Sequence, residues 1–228
     1  MPRRARSAVG GLVYHVLNRA NARATLFEEH GDYLAFQSVL AEAHQRVPMR
    51  TLAYTIMPNH WHLVLWPRGD GDLSEFMRWL TVTHVQRWHA HHQTSGMGHL
   101  YQGRFKSFPV QSDEHFLTLC RYVERNALRA NLVQRAEHWR WCSLWLRRHG
   151  DAEARAWLSA WPVPCPKHWL RLVNQSEPQN SLTELRGCIA RGRPYGSSSW
   201  LRRMVSRLGL ESTLRPRGRP RKSRARDD

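Results

Sequence analysis

Apolar positions change their period several times along the chain, and each change marks an element. Residues 11–18 (GLVYHVLN) are rich in strand formers and follow a glycine pair, which predicts a first strand behind a short basic arm. Over residues 32–46 the spacing becomes three and four, with Tyr33, Phe36, Val39, Leu40 and Ala43 on one stripe and Pro48 closing it, so a helix is expected. Residues 51–57 and 61–66 are two apolar runs separated by Pro58 and Asn59. That is the chemistry of an antiparallel hairpin, with strands buried on both faces. Asp72 and Glu75 have capping-box spacing ahead of Leu73, Phe76, Met77, Leu80, His84 and Trp88, predicting a long amphipathic helix to about residue 92. After Gly96 and Gly98, residues 99–110 (HLYQGRFKSFPV) read as a surface segment or short strand. Ser112 or Asp113 caps a further helix to about residue 130. It carries Phe116, Cys120, Val123 and Ala127 on one stripe and Leu119, Tyr122 and Asn126 on the next.

A β-α-β-β-α-(β)-α order with antiparallel pairing predicts an α+β fold of the ferredoxin-like kind, an antiparallel sheet with helices packed on it. Past Trp145 the composition shifts, and Pro162, Pro164 and Pro166 mark a boundary. The chain is expected to divide into a domain of residues 1–150 and a small, helical, basic C-terminal region of residues 151–228. Helices are expected over residues 182–190 and 198–208. Seven of the thirteen residues 214–226 are basic, and this tail is expected to be disordered when free.

Charge adds a partner. The 228 residues carry 35 Lys+Arg against 18 Asp+Glu, a formal net charge of +17, which favours a polyanion through counterion release. No window approaches the roughly 18 uninterrupted apolar residues of a membrane span, and MPRRARSAVGG lacks a signal-peptide core, so a cytoplasmic protein with no membrane partner is expected. Cys120, Cys142, Cys165 and Cys188 form no Cys-x-x-Cys pair and read as reduced, mostly buried thiols.

The sharpest local feature is MPNHWH (residues 57–62). Residues two apart on a strand share a face, so His60 and His62 project together, either to share one metal ion or as hydrogen-bonded sheet histidines. Tyr122 and Asn126, one helical turn apart, stack a phenol on an amide, or simply belong to a helix surface. In combination, two imidazoles and an amide oxygen leave coordination positions open, which suits an ion that polarises a phosphate beside a nucleophilic tyrosine. His84, His89, His91 and His92 read as the solvated end of a helix.

Five stretches carry a resemblance in order and spacing: YHVLNRANARATLFEE (14–29), MPNHWHLVLWP (57–67), LSEFMRWLTVTHVQRW (73–88), GHLYQGRFKS (98–107) and RYVERNALRANLV (121–133). The chain resembles the HUH single-tyrosine (IS200-like) transposases, specifically the REP-associated tyrosine transposases, over roughly its first 150 residues. The family form of the last stretch has Asn-Pro where this chain has Asn126 and Ala127. The resemblance implies that His60 and His62 are paired metal ligands, Asn126 the third ligand and Tyr122 the nucleophile, with Mg²⁺ or Mn²⁺ as the ion. It implies attack on single-stranded or hairpin DNA of repetitive palindromic elements, giving a 5'-phosphotyrosine and a free 3'-hydroxyl. The active unit is a monomer or homodimer, with the tyrosine expected to act in cis.

DNA contact is expected from Arg104 and Lys106, with Tyr101 and Phe105 read either as base-stacking or as core residues. Arg3, Arg4 and Arg6 could serve the same groove. Arg-Gly-Arg-Pro occurs at residues 191–194 and 217–220. The second copy resembles an AT-hook core, placing Arg215, Arg217, Arg219, Arg221 and Lys222 along DNA, while the first reads equally as a turn between helices. The rival readings are a non-catalytic DNA-binding protein that keeps the fold, and a relaxase or replication initiator. Intact His60, His62, Tyr122 and Asn126 count against the first.

Overall fold

The computed structural model describes residues 8–215; Arg3, Arg4, Arg6, Arg217, Arg219, Arg221 and Lys222 lie outside them. Four strands, β1 (Val13–Arg19), β2 (Met49–Met57), β3 (His60–Pro67) and β4 (Lys106–Val110), form one antiparallel sheet in the order β2-β3-β1-β4. Helices α1 (His30–Arg46) and α2 (Asp72–His91) cover one face. The other face carries α3 (Glu114–Glu124). This is the α+β, ferredoxin-like arrangement that the element order predicts. Among the described residues no helix is long and apolar enough to cross a membrane.

Strand alternation sorts the side chains between two cores. Tyr14, Val16, Trp61, Leu63 and Leu65 pack with Phe36 and Leu40 of α1 and Phe76 and Leu80 of α2. Val13, Val64, Phe108 and Val110 pack with Phe116, Leu119, Cys120 and Val123 of α3. Both strands of the hairpin are therefore buried on both faces, as their unbroken apolar runs imply.

The later helices are α4 (Asn126–Arg129), α5 (Ser143–His149), α6 (Ala152–Arg155), α7 (Trp169–Asn174), α8 (Gln179–Arg191) and α9 (Ser198–Leu208). Trp169, Val173, Leu185, Cys188 and Tyr195 join the core beneath α3. This part of the chain also closes the sheet. Along β2, Trp141 O accepts from Ile56 N and Ser159 N donates to Thr51 O, each at 2.8 Å. Along β4, Tyr195 N donates to Pro109 O and Tyr195 O accepts from Gln111 N, each at 2.9 Å. Neither edge is left as an open row of backbone groups.

Three local expectations are corrected. Asp72 and Glu75 do not form a capping box: Gly71, at φ +89°, holds the N-cap position in a conformation that glycine adopts without strain, and Asp72 Oδ2 accepts instead from Gly69 N at 2.6 Å. The helix expected to run to residue 130 breaks at Arg125 (φ −83°, ψ −4°). Bonds on either side of the break hold it, from Ser143 Oγ and Trp169 Nε1 to the buried Glu124 carboxylate and from Arg125 Nη1 to Val173 O and Asn174 O. Ala127 then lies in the first turn of α4, where a backbone N–H has no intrahelical partner, so the family's proline is dispensable there. His84, finally, is no surface residue. It is buried, and Nδ1 accepts from the Tyr101 hydroxyl at 2.8 Å.

Burial holds His84 down to about 3 and His44 to about 4, against an ordinary value near 6.5. Both are neutral in the folded chain, whereas the unfolded chain protonates them as the pH falls below 6.5. Their contribution to stability is complete above that pH and drains away towards the folded values, by about 2 kcal/mol per residue at pH 5. Urea unfolding at pH 7.5 and pH 5 should show this loss, and His84→Gln should recover part of it. Equal pH dependence in the two chains would contradict the assignment.

Candidate active site

His60 opens β3 and His62 follows two residues later on the same face, the one covered by α3. Each ring is held by its Nδ1. That of His60 is 2.7 Å from Asn59 Oδ1, and that of His62 is 2.8 Å from Nε2 of His15. His15 is on β1, diagonal to His62 across the β1–β3 ladder, and the two rings stack at 5.0 Å with 13° between planes. Holding Nδ1 leaves Nε2 of both ligand candidates for the cleft. Burial keeps both imidazoles neutral. His60 is lowered to about 4, with help from Arg19 and Arg129, and His62 lies well below the ordinary range through burial and the neighbouring His15, His60, Arg129 and Arg19.

Tyr122 stands edge-on to His62 at 5.8 Å and to His15 at 6.4 Å. The guanidinium carbon of Arg129 lies 4.1 Å from its ring centroid. Arg129 is itself fixed by Glu177 Oε2 at 2.8 Å. Asn126 is not stacked one turn above Tyr122 on a continuous helix, because the break at Arg125 intervenes, yet it lines the same cleft.

That cleft encloses about 700 Å³. His60, His62, Tyr122 and Asn126 meet there with Arg19, Arg104, Lys106, Arg129 and Arg191, and no lining residue is acidic. Of these five cations Arg129 is paired with Glu177; the other four attract a polyanion and leave its phosphates as their natural counter-charges. Two neutral imidazoles whose Nδ1 atoms are engaged elsewhere, beside an amide oxygen, form a donor set suited to a divalent cation with open positions.

The structure separates the expected DNA contacts. Arg104 and Lys106 are exposed at the cleft, and Phe105 lines it from a largely buried position. Tyr101 is a correction. It is 6% exposed and its hydroxyl accepts from Trp61 Nε1 at 3.0 Å while donating to His84, so both its ring and its polar tip are committed to the core. Arg215 is exposed, and its carbonyl accepts from Arg191 Nη1 at 3.2 Å. The first Arg-Gly-Arg-Pro copy is a helix stop: Gly192, at φ +68°, ends α8 and its N–H returns to Cys188 O. His92 lies 3.2 Å from Asp32 and close to His91, so the end of α2 is a partnered cluster rather than a freely solvated one.

Sequence reasoning missed His15, Arg19, Arg129 and Arg191. For His15 the signal was available: the alternation that gives Val13 and His15 one face of a doubly buried strand makes an imidazole there conspicuous. For Arg129 it was not, since its place over Tyr122 depends on the helix break.

A sequence profile described as Transposase IS200 like matches residues 8–126. No curated protein is similar to the chain. Among solved structures, one of a REP-associated tyrosine transposase bound to a REP hairpin has a TM-score of 0.55 at 16% identity, covering 78% of this chain and 93% of that one. A candidate transposase from Deinococcus radiodurans R1 has a TM-score of 0.40 at 16% identity, covering 57% of this chain and 95% of that one. The first likeness is one of fold.

Removing the Tyr101 hydroxyl should reveal its role. Tyr101→Phe leaves the buried Trp61 N–H without an acceptor and should cost about 1–3 kcal/mol in urea unfolding. Affinity for a labelled single-stranded oligonucleotide should stay within twofold. A large drop in affinity at unchanged stability would restore the base-stacking reading.

Proposed function

The chain belongs to the IS200-like transposase family, and from that membership we propose that it cuts and rejoins single-stranded or hairpin DNA of repetitive palindromic elements, with Tyr122 as the nucleophile. The observation that carries this reading is the meeting of His60, His62, Tyr122 and Asn126 in one cleft lined by five cations and no carboxylate. The hairpin substrate is suggested by the REP hairpin bound in the structure of similar fold.

In this reading the cleft cations seat the phosphates, with Arg104 and Lys106 at its exposed side. Tyr122 gives up its phenolic proton and its oxygen attacks phosphorus, forming a 5'-phosphotyrosine as the 3'-oxygen leaves. The freed 3'-hydroxyl, or that of another strand, reverses the step and rejoins the DNA without ATP. The guanidinium of Arg129 lies over the ring and holds the phenol at the cleft. His60, His62 and Asn126 would hold Mg²⁺ or Mn²⁺, the imidazoles favouring Mn²⁺, and the ion would supply a Lewis acid for the phosphate oxygen. Bonds from Arg121, Arg125 and Arg129 to residues 173–177 of the same chain support a tyrosine that acts in cis.

A denaturing gel of labelled palindromic hairpins with Mn²⁺ or Mg²⁺ should show a covalent protein–DNA band. The band should vanish in Tyr122→Phe while binding stays nearly intact, and His60→Ala should abolish metal-dependent cleavage. Binding without cleavage by the unaltered chain, in both metals and with several palindromes, would favour a non-catalytic DNA-binding protein.

The basic tail is assigned to DNA through Arg215, Arg217, Arg219, Arg221 and Lys222. Deleting residues 215–228 removes seven positive charges. The slope of log affinity against log salt should then flatten by up to about 5. An unchanged slope would remove the tail from the interface.

A further inference from the structure

His15 occupies a costly position for an imidazole. It is fully buried on the central strand, its edge against Phe108 at 5.1 Å. Nε2 meets Nδ1 of His62 at 2.8 Å, and Nδ1 has no hydrogen-bond partner among the described residues. An apolar side chain would fill the slot with no orphaned Nδ1 of its own, but would leave the buried Nδ1 of His62 without its partner. What the imidazole adds is the bond to His62.

The two ligand candidates differ in what holds them. His60 Nδ1 faces the side-chain oxygen of Asn59, whose amide nitrogen donates to Arg23 O at 3.4 Å. An oxygen can only accept, so His60 carries its proton on Nδ1 and a lone pair on Nε2. His62 faces another neutral imidazole, and the one proton between the rings has two places to sit. With the proton on His62 Nδ1, Nε2 of His62 is free to ligate, but His15 must bury an unpaired N–H at Nδ1. With the proton on His15 Nε2, His15 buries only an unpaired lone pair, and His62 carries N–H on the nitrogen that meets the cleft. Orphaned buried donors are rarer than under-used acceptors. Neutral imidazole also favours the Nε2–H form intrinsically, and the second arrangement gives both rings that form.

We propose that His15 is a positioning residue that holds His62 in its Nε2–H form at rest, so that the cation site is half preset: His60 ready to ligate, His62 only after its proton has moved. The inference rests on the reading of His60 and His62 as cation ligands. For His62 to ligate, its Nε2 proton passes to water in the cleft. The shared proton crosses from His15 Nε2 to His62 Nδ1, and one proton is taken up at His15 Nδ1. Two protons enter or leave and the net count is unchanged. Holding that last proton in an apolar pocket weakens cation binding.

Replacing His15 separates this role from simple packing. In His15→Gln the amide oxygen takes the place of Nε2 as an acceptor in both states, so ligation no longer needs a buried proton at residue 15. In His15→Leu the slot is filled and the acceptor is lost. Titration of the metal-free chain with Mn²⁺, read by the electron paramagnetic resonance of free Mn²⁺, should show His15→Gln binding several-fold more tightly than the unaltered chain and His15→Leu several-fold more weakly. Long-range ¹H–¹⁵N spectra of the histidine-labelled, metal-free chain should place the protons of His15 and His62 on Nε2 and that of His60 on Nδ1. A resting Nδ1–H form of His62, or equal weakening in the two variants, overturns the proposal; if the glutamine variant does not fold, the spectra decide it alone. Absence of Mn²⁺ uptake by the unaltered chain, with the expected protons in place, would overturn the metal reading instead.

Discussion

A strand covered on both faces has no solvent side on which to keep a polar group, and β1 and β3 are such strands. Every imidazole placed there must find its partner inside the protein or at an internal cleft. That constraint organises the site. His62 is satisfied by His15, His60 by the residue that precedes it, and both are left with one nitrogen turned to the cleft. The hairpin formed by β2 and β3 supplies the ligand candidates, while β1, far away in sequence, supplies the group that orients one of them.

The tyrosine is positioned by different means. Its helix is short, and three arginines spaced four apart, Arg121, Arg125 and Arg129, reach backbone oxygens and a carboxylate of residues 173–177. The buried Glu124 adds bonds to Ser143 and Trp169. Burial raises the pKa of this carboxyl, opposed by those same two donors. The helix therefore rests on the sheet through its apolar side and on the later chain through its polar one, and the break at Arg125 lets Asn126 turn towards the cleft. The C-terminal part of the chain thus takes part in fixing the angle from which Tyr122 meets the histidines.

Much of this was legible where one local rule decides the outcome. The apolar runs of residues 51–57 and 61–66, the turn at Pro58 and Asn59, and the shared face of His60 and His62 depend only on neighbours in sequence. The failures share a cause. Asp72 has the spacing of a cap, but the glycine before it adopts the conformation the turn needs. The stripe through Ala127 continues in sequence while tertiary bonds break the helix at Arg125. His84 and Tyr101 look like surface residues until each is seen to complete the other's hydrogen bond across the core. Such pairings join residues from separate elements, and no periodicity records them.

The closure of the sheet edges has a consequence in time. All four strands have been synthesised once the chain reaches Val110, but the segments that cover β2 follow at Trp141 and Ser159, and the one that covers β4 only at Tyr195. About 85 residues separate the last strand from the last cover, an interval of roughly 4 to 17 s on a translating ribosome. For that interval a nascent chain carries a nearly complete sheet with at least one exposed flank, open to pairing with the same stretch on a neighbouring ribosome. Slow translation of the 3' half of the message lengthens that interval, and with it the exposure of the uncovered flank.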